Sequence, residues 1–363
     1  MSIASQPNHG SVILGYSTMN DKEIIEVVQE NCHIADARFA GEYTLCIYLL
    51  KMREYYRWEK QLRFGDTLPN DDIGHWLSAR EQQWDTLDKS DYLDISIDGK
   101  DYSPFDSAGI NQALEQYGLV YSGGLGQQGR PHFFLAELNH HEAVHDYDIF
   151  VANKELARDM TAPPAMSLQK NIYIRRESLR RMLWERLEEW RWRKSEGAMS
   201  RALSYYDFDK HLEQSLDAMT DHETDVLLHH EIGEIKAGQE LGEPWHDMLA
   251  SMPRSAGEIM ARAIRDHLAD CTTTLPMLLR EQRHASLHFY FGNFNAMRKQ
   301  VFPSLYRAYQ QWNESGDSTA LSRLVKKGEQ HWRQLAFDIL DLYQAQGQDS
   351  LPAIVDLVDQ NRL

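Results

Sequence analysis

The sequence predicts a mainly α protein, a multi-helix bundle carrying a small antiparallel α+β insertion. Three observations lead there. Apolar residues recur at three- and four-residue spacing over 21–84 and again over most of 175–361, the period of a helix with one buried face. Alternating apolar and polar residues, with turn pairs between them, are confined to 92–153. Thr161-Ala162-Pro163-Pro164-Ala165 then interrupts the chain, because proline lacks the amide that a helix interior or inner strand needs. The expected division is a helical segment 1–91, the insertion 92–160 and a helical domain 161–363 that packs with the first segment.

Asp21 can cap a first helix through Glu30, with Ile24, Ile25, Val27 and Val28 on its apolar face. A second helix is expected over 36–64. Leu45, Tyr48, Leu49, Met52, Tyr55 and Tyr56 share its stripe, and Gly65 stops it. A third, over 71–84, presents Ile73, Trp76, Leu77 and Trp84. Residues 92–97 alternate into Asp98-Gly99, a hairpin pair, and a helix over 104–117 ends at Gly118. Strands follow at 119–122, 132–138 and 147–152; their short connections favour antiparallel pairing. After the proline pair, helices are expected within 175–205 and at 208–218, 221–237, 256–271, 276–299, 302–313, 317–346 and 351–361.

The 363 residues are 42% hydrophobic and 26% charged, an ordinary globular balance. Asp and Glu number 55 against 38 Lys and Arg, a net charge of -17, which disfavours nucleic acid or an anionic membrane as main partner. Cys32, Cys46 and Cys271 form no CxxC pair, so neither a disulfide scaffold nor a thiolate zinc site is expected, and the count fits a reducing compartment. The apolar stretch at 12–16 lacks a preceding cationic region, and no apolar run approaches the ~18 residues that cross a bilayer. A cytoplasmic protein without membrane association is the expectation.

Two motifs look chemical and are set aside on context. Gly124-Leu125-Gly126-Gln127-Gln128-Gly129 matches GxGxxG, but a strand-like segment follows where a dinucleotide fingerprint opens a helix, so a glycine-rich hairpin loop is expected. His141-Glu142-Ala143-Val144-His145 matches the HExxH of zinc metallopeptidases. It falls between two strand-like runs, too close together for the helix that would bring both histidines to one zinc. Arginine alternates with Tyr and Trp over 53–58 and 184–193; stacking on bases is one reading, snorkelling arginines over packed rings the favoured one.

Residues 205–250 hold twelve Asp or Glu and two Lys, so part of the acid excess is concentrated there. On a helix, Glu223, Leu227, His230 and Glu234 form one stripe with Glu231 beside it. His267 shares a face with Met260, Ile264 and Cys271, flanked by Asp266 and Asp270; Glu281, His284 and His288 recur at i, i+3 and i+7. Charged groups near a core stripe need a partner or a cation, so the cluster is either an ion-pair network or a metal site. Glu281 to His284 also fits the ExxH of di-iron bundles, but three other ExxH matches occur and the four-helix ligand order is absent, so no family follows.

The leading expectation is a metal-binding helical-bundle enzyme acting on a small molecule. His230, Glu234, His267 and His288 would be ligands to Fe, Mn or Zn. Glu231 or Asp270 would be a further ligand or general base, and Arg265 would hold an anionic substrate or pair with a ligand carboxylate. The alternative is a non-catalytic helical scaffold whose acidic face meets a partner and whose Trp/Arg helices form an oligomer interface. The HExxH metallopeptidase is the outsider.

Overall fold

A computed structural model describes residues 21–126, 129–144, 147–168, 170–294 and 296–363. The apolar stretch at 12–16 and His145 of the HExxH match lie outside them. Helix α1 (Asp21–Phe39) begins with Asp21 and Glu23 against its positive end and buries Ile24, Val28, Cys32 and Ala35. The single helix expected over 36–64 is two pieces. A tight turn at Ala40–Glu42 and an extended Thr44 (ψ 148°) separate α1 from α2 (Leu45–Glu59). Only the C-terminal half of the proposed stripe is covered: Met52, Tyr55 and Tyr56 are buried, whereas Leu45 and Leu49 are exposed. Helix α3 (Asn70–Leu87) buries Trp84 and Arg80.

The first hairpin, β1 (Ile95–Ile97) and β2 (Lys100–Tyr102), turns at Asp98 (φ 52°) and Gly99 (φ 79°). Both sit in the left-handed region that the tightest hairpin turn demands. Helix α4 (Ser107–Leu114) starts where the Asp106 carboxylate accepts from the Gly109 amide, and Gly118 (φ 66°) ends the following turn.

The sheet is larger than an insertion of three strands, and it is not purely antiparallel. Its spatial order is β3 (Leu119–Leu125), β4 (Pro131–Val144), β5 (Tyr147–Arg158), β7 (Asn171–Arg175) and β6 (Ala165–Leu168). After β5 the chain passes to the far edge as β6 and folds back as β7 into the gap, so β5 and β7 run parallel. The proline pair marks that crossing. Ile172, Tyr173 and Ile174 are buried, the continuous apolar run of an inner strand, which a period-two pattern misses. Register shifts between Leu135 and His140 bend β4 over β5. Of the glycine-rich segment, Gly124 and Leu125 end β3, which pairs antiparallel with β4, and the Gly126 amide donates to the Arg130 carbonyl; Gln127 and Gln128 lie outside the described residues. His141 and Glu142 lie in strand β4, so they do not form the helical turn of a zinc peptidase; the His141 ring stacks on Phe150.

Helices cover both faces. Helices α1 and α4 pack on β3 and β4, enclosing Ile110, Leu114, Tyr121 and Phe133. On the other side, Ile149, Val151, Ile172 and Ile174 meet Leu227, Leu228, Ile232 and Ile235 of α7 (Leu212–Leu241). Helix α7 is continuous where two helices were expected. Preceding it, α5 (Arg176–Arg193) and α6 (Ala198–Leu203) pack against its first half. The cationic helix and the acidic block are mutual partners: Arg180 meets Asp217 at 2.7 Å and Glu213 at 2.5 Å, and Arg176 pairs with Asp221.

The remaining chain forms α8 (Glu243–Ser251), α9 (Ala256–Ala269), a π-helical turn (Asp270–Thr274), α10 (Leu275–Arg280), α11 (His284–Gly292), α12 (Ala296–Val301), α13 (Pro303–Ser315), α14 (Thr319–Gln346) and α15 (Leu351–Gln360). Helix α9 lies between α7 and α14. Trp245, Leu268, Phe302, Tyr309 and Trp332 are in its core. The helix expected over 276–299 is three short ones, so the ExxH pair is split: Glu281 follows the end of α10 and His284 opens α11. The fold is mainly α, and among the described residues no helix is long and apolar enough to cross a membrane.

Candidate functional site

The site lies where α7 and α9 come closest. Gly233 permits this approach: a Cβ there would overlap Thr273 Oγ1 and the Ala269 carbonyl. Thr273 fastens the contact, its hydroxyl 2.7 Å from the His229 carbonyl and 2.9 Å from that of Ala269. The π-helical turn begins at Asp270, a widening of the helix that often re-aims a functional side chain.

Asp270 is the hub. Its buried carboxylate lies 2.8 Å from His230 Nδ1, accepts from the Tyr290 hydroxyl at 2.8 Å and pairs with Arg298. Burial alone would raise its pKa, but Arg298 and His230 outweigh it and hold the group well below the usual carboxylate range. His230 Nε2 faces Glu234 Oε1 at 3.3 Å, and Glu234 accepts from Arg265 at 2.9 Å. Burial opposes the charge on His230 too, yet Asp270 and Glu234 hold its pKa well above the ordinary imidazole value. Against the same burial, His230 and Arg265 bring Glu234 down to about 2. The chain Arg298–Asp270–His230–Glu234–Arg265 is therefore alternately positive and negative.

Its Arg265 end opens into a cavity of about 640 Å³ between the helices and the sheet. Glu231, Glu234, Arg254, Arg262 and Arg265 line one side; Gly126, Arg130 and His132 of the glycine-rich hairpin, with β6, line the other. Glu231 is 8% exposed and has neither hydrogen bond nor ion pair among the described residues. Burial, reinforced by the Glu234 charge, pushes its pKa up to about 7.

Of the residues singled out in the sequence, His230, Glu231, Glu234, Arg265 and Asp270 converge here. His267 and His288 do not. His267 stacks on Trp332, lies with Nε2 3.1 Å from the Arg298 carbonyl, and is pulled by burial and Arg298 to a pKa of about 3. His288 bonds the Tyr309 hydroxyl at 2.9 Å beside Trp312. The donor set does not suit a metal: both ring nitrogens of His230 face carboxylates that favour imidazolium, which has no lone pair for a cation. No group of three or more His, Cys, Asp or Glu among the described residues is arranged to hold one.

The two halves that enclose the cavity correspond to the two domains of one sequence family. Residues 23–175 match the N-terminal domain, and residues 180–361 the C-terminal domain, of a family of unknown function, DUF6866. The chain belongs to the DUF6866 family. No curated protein and no solved structure matches it. The DUF6866 domains meet at the junction of β7 and α5, so the hairpin wall comes from one domain and the α7–α9 wall from the other.

Sequence reasoning missed Arg254, Arg262 as a cavity residue, Arg130, His132, Tyr290 and Arg298. The hairpin had a signal, its three glycines, which predict a hairpin loop but not that Arg130 and His132 beside it face a cavity. Tyr290 and Arg298 had none, since one helix break separates Tyr290, and two separate Arg298, from the π-helical turn they serve.

Proposed function

We propose that this DUF6866 protein is an enzyme that transfers a proton on a small anionic substrate held in the 640 Å³ cavity. The observation that carries the reading is Glu231, a carboxyl without a protein partner on the cavity wall, with a pKa of about 7. A group that is half protonated at neutral pH can both give and take a proton, an effect worth ~10²–10⁴-fold in rate. Arg262 and Arg265 supply cations for the substrate's anionic group. The His230–Asp270–Arg298 chain fixes Glu234 as the counter-charge of Arg265 and as the neighbour that raises Glu231.

The test is a thermal-shift screen of small carboxylic and phosphorylated acids, followed by turnover assays on those that bind. Binding should weaken in Arg262→Gln. Glu231→Gln should retain binding and lose turnover. A substrate converted at the native rate by Glu231→Gln overturns the assignment. A second reading, a non-catalytic interaction module, is favoured by the exposed Leu45, Ile47, Leu49 and Leu50 of α2. It requires that Leu50→Glu abolish a partner or self-association seen by light scattering, with no acid bound in the cavity.

A further inference from the structure

A second cavity, of about 790 Å³, lies between α1, α2, β5 and α5, away from the Glu231 site. Its wall contains Arg158 and Arg181, which are 1% and 7% exposed, with Arg175 buried behind them at 0%. Three guanidinium groups can be buried only if their charge and their N–H donors are met. Here they are not. Glu155 bonds Arg175 Nε at 2.9 Å and reaches Arg158 only at 3.6 Å. Arg181 donates to the Ala162 carbonyl and reaches the half-exposed Glu185 at 3.7 Å. Arg158 Nε and Nη2, Arg175 Nη1 and Nη2, and Arg181 Nε are buried without a hydrogen-bond partner.

The nearby acids offset part of the charge but do not meet these donors: Asp36, which feels Arg158, accepts from the Met160 amide, and Asp159 from the Phe133 and Ala162 amides. Glu177 is occupied by the Glu155 amide at 2.6 Å, and burial with the Glu155 charge raises its pKa to about 7. Arg57 and Arg180, also on the wall, are paired to Glu54, and to Glu213 and Asp217. The cavity cations with unmet donors are thus Arg158 and Arg181, with Lys154 exposed on the same cavity. The Trp58 ring lies 4.9 Å from the Arg158 guanidinium, fixing that group's plane while leaving its N–H edge to bond in plane.

We propose that this cavity binds a small, multiply charged oxyanion, a phosphorylated or polycarboxylic molecule seated on Arg158 and Arg181 with Lys154 at its rim. A forked guanidinium and a planar or tetrahedral oxyanion make paired N–H···O bonds, which supply acceptors for donors that have none. Orphaned buried donors call for such an explanation.

Calorimetry and thermal shift with inorganic pyrophosphate, citrate and sodium chloride at matched ionic strength test this. Pyrophosphate or citrate should raise Tm by about 5 °C near saturation, and chloride should not. A response to pyrophosphate alone assigns a phosphorylated ligand; citrate alone assigns a polycarboxylate. Arg158→Gln should abolish the response, and Lys154→Gln, an exposed position that leaves the fold intact, should weaken affinity about tenfold. Arg262→Gln, which weakens binding at the other cavity, should leave the response unchanged, which separates this site from the one under Proposed function. Equal shifts from all three salts overturn the proposal. So does a response that survives Lys154→Gln and Arg181→Gln but is lost in Arg262→Gln.

Discussion

Asp270 and His230 meet at 2.8 Å across the α7–α9 contact, and the charges around them decide what that bond is. Arg298 stands behind Asp270, and Glu234 stands on the far nitrogen of His230. The bond therefore joins a carboxylate to an imidazolium, with a second carboxylate and then Arg265 beyond. Cutting the chain anywhere leaves a buried charge without its partner, a greater loss than the net worth of the pair.

Asp270→Asn should destabilise the protein by about 3–5 kcal/mol, because Arg298 and His230 lose the charge they share. Urea denaturation at pH 6 measures it. The same variant should lower the His230 pKa, which drops the imidazolium from the NMR spectrum at neutral pH. A loss of under 1 kcal/mol would show that the network is not coupled as described.

Gly233→Ala tests the close approach. The added Cβ overlaps backbone at Ala269 as well as the Thr273 hydroxyl, so neither helix can yield by a rotamer change alone. The expected cost is about 1–3 kcal/mol of overpacking. Separating α7 from α9 also moves Glu234 from Arg265, so binding in the cavity should fall together with Tm. Gly74→Ala, inside α3 with open space around it, is the control: it should leave binding unchanged and raise Tm slightly, since alanine favours a helix interior by about 0.5–1 kcal/mol.

Metal content follows from the donor chemistry. Protein purified without a metal-affinity tag should show no stoichiometric Fe, Mn or Zn by elemental analysis, and none should raise Tm. Metal bound at one per chain and lost in His230→Ala would restore the metal centre and displace the imidazolium.

The cluster on α7 was legible because His230, Glu231 and Glu234 break an otherwise apolar stripe, and Asp270 and Arg265 fall on the facing helix. What periodicity could not supply was direction. His267 and Asp270 are three residues apart, yet α9 sits between α7 and α14, so the ring goes to Trp332 and the carboxylate to His230. A helix with partners on two sides has two inward faces. The strands β6 and β7 were lost for a different reason: Pro163-Pro164 marks a crossing between strands of one sheet, and only long-range pairing with β5 distinguishes that from a domain boundary. The Trp/Arg helix α5 and the acidic block were each visible as charge, but their mutual pairing was not.

Glu231 links function to stability, with a sign that can be checked. Its pKa of about 7 in the folded chain stands against an ordinary 4.5. Between those values the folded chain keeps a proton that the unfolded chain has released, so stability falls as pH rises across the window. The full penalty, about 3 kcal/mol, is present above pH 7. Glu231→Gln keeps the shape and cannot ionise. It should be near neutral in stability at pH 4.5 and should stabilise the protein by about 3 kcal/mol at pH 8. Denaturation midpoints at the two pH values measure the difference. A gain independent of pH would mean the carboxyl titrates normally and cannot be the proton carrier. A gain that appears only at high pH, with turnover lost, would show that the same uncompensated burial that weakens the fold holds the proton where the substrate needs it.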